Sequence, residues 1–433
     1  MFIGRKEELK QLESVYASDH SNMLVIYGRE GMGKTALALK FSENRDYIYH
    51  RCCEVGPEEQ LRRFELAMKG SQAIEAKRVL IIDEFQFAVS PAFNERILAI
   101  ASNEAVYGRV MILLLSSSVS WVENSMVSSG RELARAITGI IKLKELSFAE
   151  TVEWFSKSSA SDCVVIRSML GGVPKYLNYW QENRRVRENV ISLFLTNDAP
   201  LINEAERLLK LELRELGAYN TILTALAKGL NKLNDIYAFT GFSRAKISVY
   251  IKNLSEMDLV EKIYSVSVKN PENTQKGLYR IKDNFLNFYY AYVFPNLSEI
   301  ECGQGKSLYN NVLVPDFDRF MRKSFSDVCR EYLELMSKYK RLGKYYNEWH
   351  YWFGKKGIID IIGLDAERNM IAAICHYSDA KSDVEQLEEL KSLVEEAGIR
   401  PSRLCIFSKT GFESELLRDC RNEGVMTVAL SDL

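Results

Sequence analysis

The first two hundred residues alternate between short apolar runs and longer stretches in which apolar residues recur every three or four positions. The apolar runs are short enough to be buried strands, and they lie at 23–27, 46–52, 78–84, 110–117 and 137–143. The stretches between them have the spacing of amphipathic helices. Alternating strands and helices predict an α/β fold with a parallel sheet that has helices on both faces. Ligands of such sheets bind beside the carboxyl ends of the strands.

A glycine-rich turn joins the first predicted strand to a predicted helix. The backbone N–H groups of such a turn, together with the partial positive charge of the helix N-terminus, form an anion-binding site. Lys34 is expected to reach the β- and γ-phosphates of a nucleotide, and the Thr35 hydroxyl is expected to bind Mg²⁺. The turn therefore predicts a site for ATP or GTP, formed by Gly28, Arg29, Glu30, Gly31, Met32, Gly33, Lys34, Thr35 and Ala36.

Polar residues end two further predicted strands. Asp83 and Glu84 follow the third apolar run, and Ser117 ends the fourth. Asp83 is expected to hold Mg²⁺ beside Thr35, while Glu84 is expected to orient and deprotonate the attacking water. Ser117 is placed to contact the γ-phosphate or that water. The alternative is that these residues are ordinary solvated strand ends.

Four motifs carry a resemblance to a known family. Phe2–Leu9 reads F-I-G-R-K-E-E-L, and Asp83–Gln86 reads D-E-F-Q. Residues 115–120 read L-S-S-S-V-S, and residues 171–177 read G-G-V-P-K-Y-L. In these motifs the sequence resembles the archaeal-type ATPases, members of the AAA+/STAND group of P-loop proteins, although Ser116 stands where the family usually has glycine. The resemblance implies an ATPase core followed by a helical lid.

The resemblance also implies roles for single residues and favours ATP over GTP. Arg5 belongs to a segment that lies near the nucleotide base in the family, and Pro174 belongs to a lid element that packs against the adenine. Ser117 matches the sensor-1 strand. The family often carries an arginine before the last strand of the sheet, where this sequence has Arg131 and Arg135. Either is a candidate arginine finger for a neighbouring subunit's γ-phosphate, and a surface arginine is the alternative.

Residues 205–290 have the pattern of a winged helix. Two helix-length runs are separated by a short turn at residues 240–242. Two β-like runs at 259–268 and 277–281 flank a polar loop at 270–273, and they predict the wing. The resemblance agrees, since these ATPases commonly carry a winged helix after the lid. Double-stranded DNA is a predicted partner, and an interdomain or oligomer contact is the alternative. The expected DNA contacts on the second helix are Arg244, Lys246 and Lys252.

Residues 300–433 are predicted to form a small α/β domain. It resembles the uncharacterised domain that often ends these ATPases, whose fold is similar to PD-(D/E)xK nucleases. Asp360 stands where that fold has its first metal-binding aspartate, but Ser326 and Ile374 replace two glutamates, and His376 replaces the lysine. Because isoleucine cannot bind a metal and one aspartate is a poor Mg²⁺ site, the domain is predicted to have lost catalysis. The alternative is that a missing carboxylate is supplied by Asp379 or Asp383.

Net charge, cysteine spacing and the length of the apolar runs limit which partners and which cellular compartment are expected. The formal net charge is −1, so any contact with nucleic acid must come from a local patch. The eight cysteines are scattered without a Cys-x2-Cys pair, which favours reduced thiols in a cytoplasmic protein. Neither a signal-peptide core nor an apolar run of about 18 residues occurs, so no membrane span is expected.

These observations predict a chain with four parts and a regulatory function. The parts are a P-loop ATPase core at 1–145, a helical lid at 146–204, a winged helix at 205–290 and a nuclease-like domain at 300–433. The protein is predicted to be an ATP-hydrolysing AAA+/STAND regulator whose nucleotide state controls domain arrangement or assembly. Its predicted partners are double-stranded DNA, further copies of the same chain, or another protein. One alternative is a nuclease that ATP licenses. The other is an adaptor that binds nucleotide without hydrolysing it.

Overall fold

The computed structural model describes residues 2–69, 76–126, 132–266 and 277–433. The chain divides into two compact units. One comprises Met1–Leu146 and Val173–Asn178, and the other comprises Ser147–Gly172 and Tyr179–Leu433. The finer division into four parts stays a prediction.

The first unit contains a parallel sheet, as the alternating pattern predicts. Its order in space is β2-β3-β4-β1-β5, and every neighbouring pair runs parallel. The sheet order differs from the chain order because parallel neighbours are joined by crossover connections rather than hairpins. The strands are β1 (Asn22–Tyr27), β2 (Tyr47–Arg51), β3 (Arg78–Asp83), β4 (Val110–Ser116) and β5 (Gly139–Lys142).

Helices cover this sheet and bury its central strands. All residues of β1 and β4 are buried, which explains why these strands are almost continuously apolar. Phe64 and Phe93 come from two of the helices and pack in the same core with ring centroids 4.9 Å apart. The α-helices of this unit are α1 (Lys6–Tyr16), α2 (Lys34–Ser42), α3 (Pro57–Met68), α4 (Pro91–Ser102), α5 (Glu104–Tyr107), α6 (Val119–Trp121), α7 (Glu132–Ala136) and α10 (Pro174–Leu177). Single turns of 3-10 and π-helix occur at Phe85–Phe87 and Val122–Met126.

The second unit begins with helices and then forms a short antiparallel pair of strands. Ser243 caps α15 by accepting a hydrogen bond from the Lys246 N–H. The two strands pair antiparallel from Val260↔Ile281 to Tyr264↔Gly277, while the polar loop predicted at 270–273 lies outside the described residues. The elements are α8 (Phe148–Trp154), α9 (Ala160–Leu170), α11 (Val186–Phe194), α12 (Glu204–Lys210), α13 (Leu216–Ala227), α14 (Leu233–Thr240), α15 (Arg244–Glu256), β6 (Val260–Tyr264) and β7 (Gly277–Ile281).

A helical segment and a mixed sheet complete the second unit. The helices are α16 (Asn284–Phe288), α17 (Leu297–Glu301), α18 (Gly305–Leu308), α19 (Val314–Lys338), α20 (Val384–Ala397) and α21 (Ser414–Glu423). Single π turns lie at Tyr289–Val293 and Tyr309–Leu313, and 3-10 turns lie at Phe294–Asn296 and Leu430–Asp432. The strands are β8 (Tyr346–Phe353), β9 (Ile358–Asp365), β10 (Met370–His376), β11 (Arg403–Ser408) and β12 (Met426–Ala429).

The mixed sheet has the order β12-β11-β10-β9-β8. Its β8–β9 and β9–β10 pairs are antiparallel, while β10–β11 and β11–β12 are parallel. The sequence predicts β9, β10 and β11 but not the two outer strands. The eight cysteines are free, six of them buried. Within the described ranges, no helix has both the length and the apolar character needed to cross a membrane.

Candidate functional site

The glycine-rich turn lies between β1 and α2, where its N–H groups can converge on an anion. Gly31 and Gly33 have φ values of 85° and 86°, a region that favours glycine. A Cβ on Gly31 would also lie 2.8 Å from Lys175 Cβ, so this position excludes any side chain. The turn therefore keeps the open backbone that phosphate binding needs, and it begins α2 at Lys34.

Lys34 reaches back into the turn. Its Nζ donates hydrogen bonds to the carbonyl oxygens of Gly28 at 2.8 Å and Arg29 at 3.0 Å. The side chain is buried, and burial lowers the pKa of its ammonium group. The opposing charges come from Glu84, Asp83 and Glu30. The ammonium thus lies among the atoms that the sequence assigns to phosphate binding.

Thr35 and Asp83 meet directly. The Thr35 hydroxyl donates to Asp83 Oδ2 at 2.7 Å, although 48 residues separate them in the chain. The Tyr49 hydroxyl donates to the same oxygen at 2.8 Å. Burial, and then the hydrogen bond to Asp83, raise the pKa of Tyr49, so it remains a donor at neutral pH. The sequence predicts the first contact but not the second, because only the pairing of β2 with β3 brings Tyr49 to this carboxylate.

Glu84 lies at the centre of a second set of hydrogen bonds. Its φ of 54° is uncommon for a residue other than glycine, and it marks the sharp turn after β3. Its Oε2 accepts hydrogen bonds from the Ser117 hydroxyl and the Gln86 side-chain amide. Gln86 Nε2 also donates to Ser117 Oγ at 2.9 Å. Gln86 is part of the D-E-F-Q motif but is not among the predicted site residues.

The segment Val173–Asn178 contacts the glycine-rich turn. The Lys175 N–H donates to the Gly31 carbonyl at 3.2 Å, and Lys175 Nζ lies 3.3 Å from a Glu30 carboxylate oxygen. A Cβ on Gly33 would lie 3.9 Å from Pro174 Cγ. The structure thus places Pro174 beside the turn, and its contact with the adenine stays a prediction.

Arg5 holds the turn from its other side. Its guanidinium is buried and donates to the carbonyl oxygens of Met32 at 3.0 Å and Lys144 at 2.7 Å. Arg29 forms an ion pair with Glu145 at 2.8 Å. Both arginines therefore brace the turn against residues 144–145, which follow β5.

The remaining predicted residues of the first unit are more exposed or lie at the helix start. Ala36 follows Thr35 within the first turn of α2. Arg135 is exposed on α7, before β5. Arg131 lies outside the described residues.

The three predicted DNA contacts are exposed on α15. The Arg244 guanidinium lies 4.7 Å from the ring centre of Tyr237, and it donates to Asn234 Oδ1. Lys246 Nζ lies 4.6 Å from the ring centre of Phe242. Lys252 Nζ lies 3.6 Å from Glu256, which offsets part of its charge.

The nuclease-like positions do not converge on a metal site. Asp360 on β9 is buried, and its Oδ2 accepts the Cys375 N–H at 2.8 Å. Burial raises the pKa of Asp360 to about 6. Ile374 belongs to the apolar core. The two substitutes are engaged elsewhere, since Asp383 caps α20 and Asp379 binds Lys409 at 2.6 Å. In the part of the chain that the structure describes, no group of three or more His, Cys, Asp or Glu residues could hold a metal ion.

Comparison with protein families identifies two regions. Residues 2–77 match a family described as an ATPase domain predominantly from Archaea. Residues 289–387 match DUF234, described as "Archaea bacterial proteins of unknown function". The first match covers the glycine-rich turn, and the second covers the π turn after α16, α19 and the strands β8 to β10.

Two relatives come from Methanocaldococcus jannaschii. The uncharacterized protein MJECL04 is 30% identical over 413 residues, which are 89% of this chain and 90% of that protein. The uncharacterized ATP-binding protein MJ0423 is 47% identical over 45 residues, which are 10% of this chain and 76% of that protein.

Solved structures are similar at lower levels. The Walker-type ATPase PABY2304 of Pyrococcus abyssi has 16% identity and a TM-score of 0.49, covering 67% of this chain and 96% of that chain. The Aeropyrum pernix ORC2 protein has 14% identity and a TM-score of 0.40, covering 68% of this chain and 93% of that chain. Both TM-scores are below 0.5, so the assignment rests on the sequence matches. This protein belongs to the same family as MJECL04, with an archaeal P-loop ATPase domain at its amino-terminal end and a DUF234 domain toward its carboxyl-terminal end.

Proposed function

We propose that this protein is an ATP-hydrolysing regulator of the AAA+/STAND kind, in which the bound nucleotide controls the arrangement or assembly of the parts that follow the ATPase domain. One observation carries the proposal. The residues needed for nucleotide binding and hydrolysis, drawn from three strand ends and one helix, form a connected hydrogen-bonded site.

ATP binding is assigned to the turn and the elements that brace it. The turn's N–H groups and the Lys34 ammonium bind the phosphates, and Pro174 lies beside the turn to contact the base. Thr35 and Asp83 offer a hydroxyl and a carboxylate 2.7 Å apart, a donor set that suits Mg²⁺ together with phosphate oxygens. When bound, Mg²⁺ supplies positive charge that neutralises the phosphates.

Hydrolysis is assigned to Glu84 as the general base. Ser117 and Gln86 both donate to one of its carboxylate oxygens, which leaves the other oxygen to accept a proton from water. Ser117 and Gln86 are therefore positioning residues for Glu84. Arg135 is exposed and able to reach a neighbouring subunit, so it is assigned as an arginine finger in an assembled homo-oligomer.

Chain connectivity supports the regulatory part of the proposal. Val173–Asn178 is hydrogen-bonded to the glycine-rich turn, and the chain on both sides of this segment belongs to the second unit. A change at the turn on nucleotide binding is therefore passed along the chain in both directions.

Helix α19 is the element of the second unit that receives such a change. On its surface, Glu331 pairs with Arg167 of α9, which ends just before the segment Val173–Asn178. Asp327, also on α19, accepts a hydrogen bond from Arg280 of β7 at 3.3 Å. Because these charges are largely shielded from water, moving one partner without the other is costly. The antiparallel pair β6–β7 is thereby linked to α9 through α19.

Double-stranded DNA is the partner we propose for helices α13 to α15 with the pair β6–β7, which we assign as a winged helix. The supporting observation is that Arg244 and Lys246 are exposed on α15 and are held against aromatic rings. Lys252 is the third contact. The chain's net charge of −1 makes this a local patch rather than a general affinity for nucleic acid.

The test is ATP hydrolysis and mass, measured for the wild type, Lys34→Ala and Glu84→Gln. We expect Lys34→Ala to lose nucleotide binding, and Glu84→Gln to bind ATP but turn over about 10²- to 10⁴-fold more slowly. We expect ATP to raise the mass in solution. Turnover that is the same in all three proteins would replace the proposal by a nucleotide-binding adaptor. A mass that does not change with nucleotide would remove assembly from it.

A further inference from the structure

The second unit contains a cavity of about 450 Å³, whose lining residues lie between Asn197 and Glu301 in the sequence. Its walls come from the start of α12, from α13, from the π turn at Tyr289–Val293 and from α17. A cavity of this size fits a small organic molecule. π turns of this kind are frequent at functional sites because the inserted residue disturbs regular helix packing.

One largely buried side chain that lines this cavity carries a hydroxyl without a partner. Tyr289 is only 4% exposed, and among the described residues its hydroxyl makes no hydrogen bond. Burial, and then the charge of Glu206, raise the pKa of Tyr289 to about 12, so the group is a neutral phenol. Because Tyr289 lines the cavity, its hydroxyl is open to a hydrogen bond with a bound ligand. By contrast, the neighbouring Tyr290 donates to Asn220 Oδ1 at 2.7 Å.

The charged side chains that line the cavity are both acidic. Two carboxylates, those of Glu206 and Glu301, line it, and none of its described lining residues is lysine or arginine. Glu206 is paired with Lys210, one helical turn away. The Glu301 carboxylate forms no ion pair or hydrogen bond with any residue in the described ranges, so its charge is available to a ligand.

Aromatic side chains form a further part of the cavity wall. Tyr290 and Phe294 both line the cavity, with ring centroids 5.2 Å apart. Faces of aromatic rings attract cations through their quadrupole. They repel anions for the same reason, and the two carboxylates add to that repulsion.

We propose that this cavity binds a small aliphatic amine, with its ammonium group on the Glu301 carboxylate and the Tyr289 hydroxyl and its carbon chain against Tyr290 and Phe294. Phosphate-bearing ligands are excluded because none of the described residues that line the site is lysine or arginine. The site is separate from ATP binding and goes beyond the proposed function, since it would remain if the chain hydrolysed no nucleotide.

The test compares two probes of equal length and opposite charge, 1,5-diaminopentane and glutarate, by isothermal titration calorimetry with the full chain. We expect the diamine to bind with a dissociation constant in the micromolar to low millimolar range, and glutarate not to bind. Glu301→Gln should weaken the diamine about tenfold or more, and Tyr289→Phe about three- to tenfold. The matched control is Glu299→Gln, an exposed glutamate of the same helix that does not line the cavity.

Glu301 is exposed, so its substitution leaves the fold intact, and thermal unfolding of each variant checks this. A site of this size should bind its ligand with a dissociation constant of roughly 10 mM or lower. If the diamine does not bind at that concentration, the proposal is wrong. Equal binding by the Glu301→Gln variant would also overturn it, because the amine would then be held by the general surface. Binding of glutarate at the same affinity would show that charge does not select the ligand.

Discussion

The contact between Gln86 and Glu84 gives the sharpest prediction about catalysis. Replacing Gln86 by Met keeps the length of the side chain and removes the amide that donates to Glu84 Oε2 and Ser117 Oγ. Hydrogen bonds to a charged acceptor contribute about 1.5–3 kcal/mol. If that bond orients Glu84 for proton transfer, its loss lowers kcat by about 10- to 150-fold. Because Gln86 is only half-buried, the lower end of this range is expected.

The assay is single-turnover hydrolysis of radiolabelled ATP at saturating nucleotide. Gln86→Met should lower the rate while ATP affinity changes less than about twofold, since Gln86 touches the base and not the phosphate site. The matched control is Gln11→Met, which alters an exposed glutamine on α1 and should leave the rate unchanged.

A thermodynamic cycle with Glu84→Gln then separates two roles for Ser117. If Ser117 and Gln86 act through Glu84, neither Ser117→Ala nor Gln86→Met slows the Glu84→Gln enzyme further. If Ser117 instead contacts the γ-phosphate, its substitution slows that enzyme as much as it slows the wild type. A Gln86→Met rate within twofold of the wild type would refute the positioning role that we assign to this residue.

Three further predictions concern other parts of the molecule. Gly31→Ala should weaken ATP binding at least about tenfold in a filter-binding assay, because a Cβ at a φ of 85° is strained and would clash with Lys175. The control is Gly56→Ala, which should leave ATP binding unchanged because Gly56 has a φ of −60° and open space around it. Replacing Arg244 and Lys246 together by alanine should weaken duplex DNA binding and reduce its log–log salt slope by about 2, measured by fluorescence anisotropy; an unchanged slope contradicts the assigned contacts. Asp360→Asn should raise the free energy of unfolding at pH 8 more than at pH 5. The folded-state pKa of about 6 lies above the ordinary 3.8, so ionisation destabilises the fold as pH rises through this window, by up to about 3 kcal/mol above pH 6. Urea unfolding at both pH values checks this, and an equal effect at both would contradict it.

Much of the first unit follows from local pattern. The apolar runs predict all five strands of its sheet, because buried parallel strands need apolar residues on both faces. The D-E-F-Q motif marks the end of β3 in the same way. β8 was missed because its sequence, Y-N-E-W-H-Y-W-F, mixes charged and aromatic residues without the regular alternation of a half-buried strand.

Tyr49 shows what local pattern does not supply. It lies on β2, 34 residues before Asp83, and its hydroxyl reaches that carboxylate only because β2 is the neighbour of β3. Strand order in a parallel sheet depends on how the crossover helices pack, so the sequences of the two strands alone do not determine it. Gln86 is close to Glu84 in sequence, but its second partner, Ser117, directly follows β4 and is 31 residues further along the chain.

The sequence by itself determined the chemistry that is fixed within a few residues: the open glycine turn, the lysine and threonine that follow it, and the carboxylates at a strand end. These depend on backbone conformation and on hydrogen bonds to near neighbours, which nearby residues set. Only the tertiary structure decided which donors hold Asp83 and Glu84, how Val173–Asn178 meets the turn, and that Tyr289 lines a cavity. Such contacts join residues that are distant in the chain, and they arise from the packing of whole helices and strands around a shared core.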